Sequence, residues 1–147
     1  MGLDFGFNFK GINDQGINQI LNIPASSFHT LSPDIDDVVY TTDLNRITAS
    51  AAVTDNTIIA PIILPDGATI TSFIVYGSDA TNVYILLRQS IRTGGGGYGL
   101  TDGNDKQNTY AVLEKNTVID NENWAYFIQA EIGNGDSVYG AVLRYRF

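Results

Sequence analysis

Chemistry in a protein starts from a few side-chain types, and this 147-residue chain is short of most of them. It has one histidine and no cysteine. The missing cysteine removes disulfides, thiolate zinc sites and a cysteine nucleophile. The single histidine, His29, follows Ser26, Ser27 and Phe28. A catalytic triad needs a nucleophile and an orienting acid around such a histidine, yet no Gly-x-Ser-x-Gly elbow surrounds the serines. His29 therefore reads as a hydrogen-bonding surface residue. Asp34, Asp36 and Asp37 form an acidic cluster, and residues 102–105 form a second acidic loop. A calcium ion takes six to eight oxygen ligands, and alternating aspartates can supply some of them. Neither loop has EF-hand spacing, and Asp and Asn favour turns in their own right. Both are weak calcium candidates, and no metal is expected. Glu114, Glu122 and Glu131 are the only glutamates, and nothing pairs them as the two carboxylates of a glycosidase. The run Gly94–Gly97 lacks the Lys-Ser/Thr and the following helix of a phosphate loop. No catalytic residue and no cofactor is expected.

Binding chemistry is better supplied. The chain holds 8 tyrosines, 7 phenylalanines and 1 tryptophan. Tyr76, Tyr84, Tyr98 and Tyr110 are candidates for stacking on sugar rings. Trp124 is a fifth, although its place at the head of an alternating apolar face points to the core. Arg88, Arg92, Arg144 and Arg146 fall at alternate strand positions and are expected to form a basic stripe that pairs with acidic neighbours.

The net charge is −8, from 16 acidic and 8 basic side chains. Phosphate backbones and anionic membrane surfaces repel such a protein, so nucleic acid is excluded as a partner. No run of 18 apolar residues exists, so no membrane-inserting helix is expected. Residues 1–10 have no basic start and no continuous apolar block, and do not read as a secretory signal.

The elements that must position these side chains are strands. Apolar residues recur with a period of two along residues 57–64, 69–77, 83–92, 123–132 and 137–147, the pattern of half-buried strands. Pro61 places its strand at an edge or bulge. Val83, Ile85, Leu87 and Ile91 are assigned to the inward face of theirs. So are Tyr139, Ala141, Leu143, Tyr145 and Phe147, with Val138, Val142, Arg144 and Arg146 on the opposite face. Weaker strands are expected at 38–42, 46–52 and 110–114, and residues 14–21 are compatible with a helical turn. Closely spaced turn signals and few helical stretches predict an all-β, single antiparallel jelly-roll-like β-sandwich of roughly eight strands. Residues 1–20 stand apart as an extension: Leu3, Phe5, Phe7 and Phe9 alternate with polar residues or glycine, and a Gly/Asn-rich tether follows. The sandwich domain is placed at 21–147.

From Leu21 onward the chain resembles a domain of secreted bacterial proteins and phage virion proteins. The residues that carry this are Ile23-Pro24-Ala25-Ser26-Ser27-Phe28, residues 60–73 with their Leu64-Pro65-Asp66-Gly67-Ala68-Thr69 centre, Leu86-Leu87-Arg88, residues 118–126 and residues 138–145. The resemblance implies a jelly-roll-type sandwich with a structural or display role and supplies no catalytic residues. Together these readings give a non-enzymatic structural subunit of an extracellular or virion assembly such as a filament, fibre, tail or capsid surface. It associates with itself: the Leu3/Phe5/Phe7/Phe9 strand docks on a neighbour, and Tyr145 and Phe147 of the last strand help form the receiving surface. The alternative is a carbohydrate-binding or adhesion module with glycans as partners.

Overall fold

Strict alternation of side chains along extended segments leaves each strand with one face to bury, and two sheets meeting face to face bury both. The computed structural model describes residues 18–30, 38–40, 45–49, 57–79, 82–95, 97–101 and 105–147. In chain order the strands are β1 (Gln19–Pro24), β2 (His29–Thr30), β3 (Val38–Tyr40), β4 (Ile47–Ala49), β5 (Thr57–Ile62), β6 (Thr69–Gly77), β7 (Val83–Ser90), β8 (Tyr98–Gly99), β9 (Asp105–Lys106), β10 (Ala111–Val118), β11 (Trp124–Glu131) and β12 (Ser137–Arg146). A single 3-10 turn, Ala25–Ser27, joins β1 to β2. No helix of the described residues is long and apolar enough to cross a membrane.

The strands form two antiparallel sheets. In the first, β10, β6 and β12 lie side by side, and the far edge of β12 is shared by β1 and β4, with β3 outside β4. In the second the order is β2, β5, β11, β7, with β8 and β9 both on the outer edge of β7. The long strands pair as nested hairpins: β7 with β8 and β9, β6 with β10, β5 with β11, and β1 with β12. This is jelly-roll connectivity, with the members of successive pairs alternating between sheets. β3 and β4 are an addition between the first and second members of that scheme.

The core lies between the sheets. Ile70, Phe73, Val75, Ala141 and Leu143 project from the first sheet, and Ile58, Ala60, Tyr84, Leu86, Tyr126, Ile128 and Ala130 from the second. Phe73 and Tyr84 meet edge to face across the gap, with ring centroids 5.3 Å apart. The Tyr84 hydroxyl donates to the Thr109 carbonyl, so this ring both fills the core and satisfies its polar tip.

The Leu-Pro-Asp-Gly segment makes the β5–β6 turn. Gly67 adopts φ +84°, a region open to glycine at no steric cost. The turn is clamped from outside: Asn121 donates its backbone N–H to Asp66 Oδ1 (2.8 Å) and its side-chain amide to the Leu64 carbonyl (2.9 Å). Asp120 holds the clamp in shape, accepting from the Glu122 N–H at 3.2 Å and from Asn123 Nδ2 at 2.7 Å. Asp120→Ala removes both acceptors and is expected to cost about 1–3 kcal/mol in urea unfolding. A loss well under that range contradicts the clamp.

Several expectations are corrected. Residues 19–21 are strand, not helical turn, because Leu21 and Ile23 turn toward the core while the backbone pairs with β12. On β7 the buried side chains are Tyr84 and Leu86, so Val83, Ile85 and Leu87 face outward, the reverse of the assignment from periodicity, and Ile91 is exposed just past the strand's end. On β12 the register against β6 shifts between Val138 and Gly140. Val138 is buried and Tyr139 is thrown to the outer face, where it is 46 % exposed. Nor is β12 a free edge: it is paired on both sides.

Candidate functional site

With the core accounted for, the outer faces of the two sheets carry the chemistry, and they differ. On the second sheet Ile59, Pro61 and Ile63 from β5 and its end, Ala125 and Phe127 from β11, and Ile85 and Leu87 from β7 form an apolar surface. The pairing sets Pro61 beside Phe127 and Phe127 beside Leu87, so the apolar side chains run across three strands in one row. Ile63 is 81 % exposed. Gln89 and Gln129 add polar groups without charge, and together with Ile59, Leu87, Gly97 and Phe127 they line a shallow trough of about 170 Å³. The glycines of the 97–99 segment keep this surface low. A Cβ on Gly99 would fall 2.8 Å from Ile85 Cδ1, and one on Gly97 3.3 Å from Leu87 Cδ1. Contiguous apolar surface of this kind is unusual on a monomer and marks interaction sites.

The outer face of the first sheet is aromatic and polar. Tyr76 on β6, Tyr139 on β12 and Tyr110 just before β10 are 39 %, 46 % and 40 % exposed. Tyr76 pairs across the ladder with Gly140. Gly140 has no side chain, and its φ of +152° together with the Ile23 carbonyl, 2.8 Å from where a Cβ would sit, reserves the position for glycine. It opens a groove of about 330 Å³ lined by Asn22, Pro24, Tyr76, Tyr139, Gly140 and Val142, among others. Beside it, the Arg144 guanidinium lies 4.3 Å from the Tyr110 ring centroid and donates to the Tyr110 hydroxyl at 2.8 Å. The Tyr76 phenol is held above the ordinary tyrosine value, first by desolvation and then by its hydrogen bond to Tyr110 and that group's charge, against a lowering by Arg144. Tyr76, Tyr110 and Arg144 thus form one interacting set.

The other sequence candidates are dispersed. Tyr84 is 2 % exposed and belongs to the core, so it is no stacking platform. Tyr98 is exposed and meets Trp124 edge-on at 5.7 Å, with Arg88 4.2 Å from the Trp124 centroid. This group covers one end of the sandwich, away from the other tyrosines. The expected arginine stripe is split: Arg88 stacks on Trp124, Arg92 pairs with Glu122 at 3.2 Å, and Arg144 and Arg146 lie on the first sheet. Tyr145 is half-buried against its own core and donates to Gln19 Oε1 at 3.3 Å, with Phe147 edge-on at 6.0 Å and 54 % exposed. His29 is exposed on β2. Among the described residues no three His, Cys, Asp or Glu side chains gather as a metal site. Leu3, Phe5, Phe7, Phe9, Asp34, Asp36 and Asp37 lie outside the described residues. Tyr139 and Asn22 were missed by sequence reasoning. The signal for Tyr139 was present, since a glycine inside a strand marks a bulge or a close backbone approach.

No protein-family model matches the chain, and no curated protein matches it either. Among solved structures it is similar to a xylan-binding module CBM15, with TM-score 0.45 and 13 % identity over 87 % of this chain and 97 % of that one. It is also similar to a chain in a structure of infectious bursal disease virus Gx strain, with TM-score 0.40 and 13 % identity over 89 % of this chain; it spans about a third of that viral chain (32 %).

Proposed function

We propose that this protein is a non-enzymatic structural subunit of an extracellular or virion assembly, and that its partner is a second copy of itself. The observation that carries this reading is the outer face of the second sheet. A sandwich sheet that meets only water alternates apolar with polar residues, whereas here Ile59, Pro61, Ile63, Ile85, Leu87, Ala125 and Phe127 occupy the outward positions. The acidic chain would repel its own copies if charges lined this face. The one charged side chain among the outward residues of β7 and β11 is Glu131, at the end of β11, which fits the depletion of charge at interface centres.

The Leu3/Phe5/Phe7/Phe9 segment adds the second contact. It alternates like a strand and is separated by a Gly/Asn-rich stretch from Gln19, where β1 begins. In our reading it crosses to a neighbouring copy and adds main-chain hydrogen bonds and ring contacts there. Deleting residues 1–17 tests this by sedimentation velocity. The full chain is expected to sediment as an oligomer at micromolar concentration, and the truncated chain is expected to dissociate at least tenfold more readily. A full chain that is monomeric, or an oligomer unaffected by the deletion, rejects the strand-docking arrangement.

A further inference from the structure

We infer that the tyrosine groove on the first sheet is a binding subsite for an acidic glycan, a chain of pyranose rings bearing carboxylates. The groove lies on the face opposite the apolar one, so this inference stands or falls apart from self-association.

Its form suits a sugar. Tyr76 and Tyr139 are exposed rings at a groove whose Gly140 position presents no side chain. The face of a tyrosine ring carries negative charge density, which attracts the polarised C–H groups on the flat side of a pyranose. The volume, about 330 Å³, falls within the range of roughly 300–1,000 Å³ typical of small-ligand sites. Asn22, which is exposed, brings an amide able to donate and accept toward sugar hydroxyls. The two rings supply a stacking platform and the amide supplies the hydrogen-bonding group that a sugar ring needs beside it.

The charge class follows from Arg144. Among the described residues, none of those lining the groove is acidic. Arg144 is positioned by Tyr110, stacked on its ring and bonded to its hydroxyl. Among the described residues it makes no ion pair with a carboxylate, the pair found there being Arg92 with Glu122. Its guanidinium has five N–H donors, and the bond to Tyr110 uses one. A planar fork held in place in this way matches a carboxylate. Arg146 lies two residues further along β12; the net charge of −8 opposes an anionic glycan at long range, so recognition of the carboxylate rests on the local Arg144 fork.

The test uses the full chain, a short oligogalacturonate as the acidic probe and a cello-oligosaccharide of equal length as the neutral one, measured by calorimetric titration. Oligogalacturonate is expected to bind at least tenfold more tightly than the neutral probe, and more weakly as salt is raised. Tyr76→Ala and Tyr139→Ala are each expected to weaken it about tenfold. Arg144→Gln is expected to remove the preference for the acidic probe. The affected side chains are exposed or half-buried, and thermal unfolding of each variant confirms that it folds. No binding at millimolar probe, equal binding of both probes, or binding unchanged in the tyrosine variants overturns the proposal.

Discussion

Phe127→Glu is expected to break the proposed assembly into single subunits while leaving the sandwich folded. Phe127 sits at the middle of the apolar outer face, between Pro61 of β5 and Leu87 of β7, with its side chain pointing away from the core that its neighbours Tyr126 and Ile128 enter. Within the subunit the substitution exchanges one half-exposed side chain for another. Within an interface it places an unpaired carboxylate among Ile59, Leu87 and the same residues of the facing copy. An uncompensated buried charge costs about 3–5 kcal/mol, and even the lower figure is more than a hundredfold in the association constant. Sedimentation velocity reads the dissociation, and far-ultraviolet circular dichroism with thermal unfolding reads the fold. An unchanged sedimentation coefficient would show that this face takes no part in association. A loss of mass accompanied by unfolding would mean that Phe127 belongs to the core after all.

The largest effect on stability is expected from Phe73→Ala. Phe73 is fully buried on β6 and meets Tyr84 of β7 across the interior, so its ring ties the two sheets together. Removal discards the transfer energy of the ring and leaves a cavity that the strands cannot close, because both are held by ladders on either side. Losses for such truncations run to about 3–5 kcal/mol. For a chain of this size that corresponds to a fall in Tm of roughly 6–20 °C. Urea unfolding followed by tryptophan fluorescence measures it directly, since Trp124 packs against the same core. A loss under about 1 kcal/mol would mean that the two sheets are not joined through this ring pair.

The fold is legible in the sequence because period-two alternation is a direct trace of two-sided strands. β5, β6, β11 and β12 were legible within a residue or two from alternation and turn residues alone. The short strands β2, β8 and β9 were not, because two residues carry no period. The inside–outside assignment of β7 failed for a physical reason. Val83, Ile85 and Leu87 on one side and Tyr84 and Leu86 on the other are both apolar sets, so alternation cannot choose between them. Packing chose, since Tyr84 reaches Phe73 and the Thr109 carbonyl only from inside. That ambiguity was informative, because a strand apolar on both sides has something to cover on each. The tyrosine groove was half legible. Tyr76 and Tyr110 stand out in the sequence as stacking candidates, while Tyr139 reads as a core residue because a single-residue bulge inverts everything on its N-terminal side.

The position of β12 governs how the protein can be made. It lies at the centre of the first sheet and pairs with β1, β4 and β6, all of which are synthesised before it. Gln19 meets Tyr145, a partner 126 residues away. A nascent chain therefore holds β1, β4 and β6 without the strand that joins them, and loop closures of this span make acquisition of the native pairing slow. During that interval apolar side chains that β12 later covers stay open to other unfinished chains. Premature clumping on the ribosome is the hazard this topology carries, and a chaperone or dilute synthesis is the corresponding remedy in any attempt to produce it.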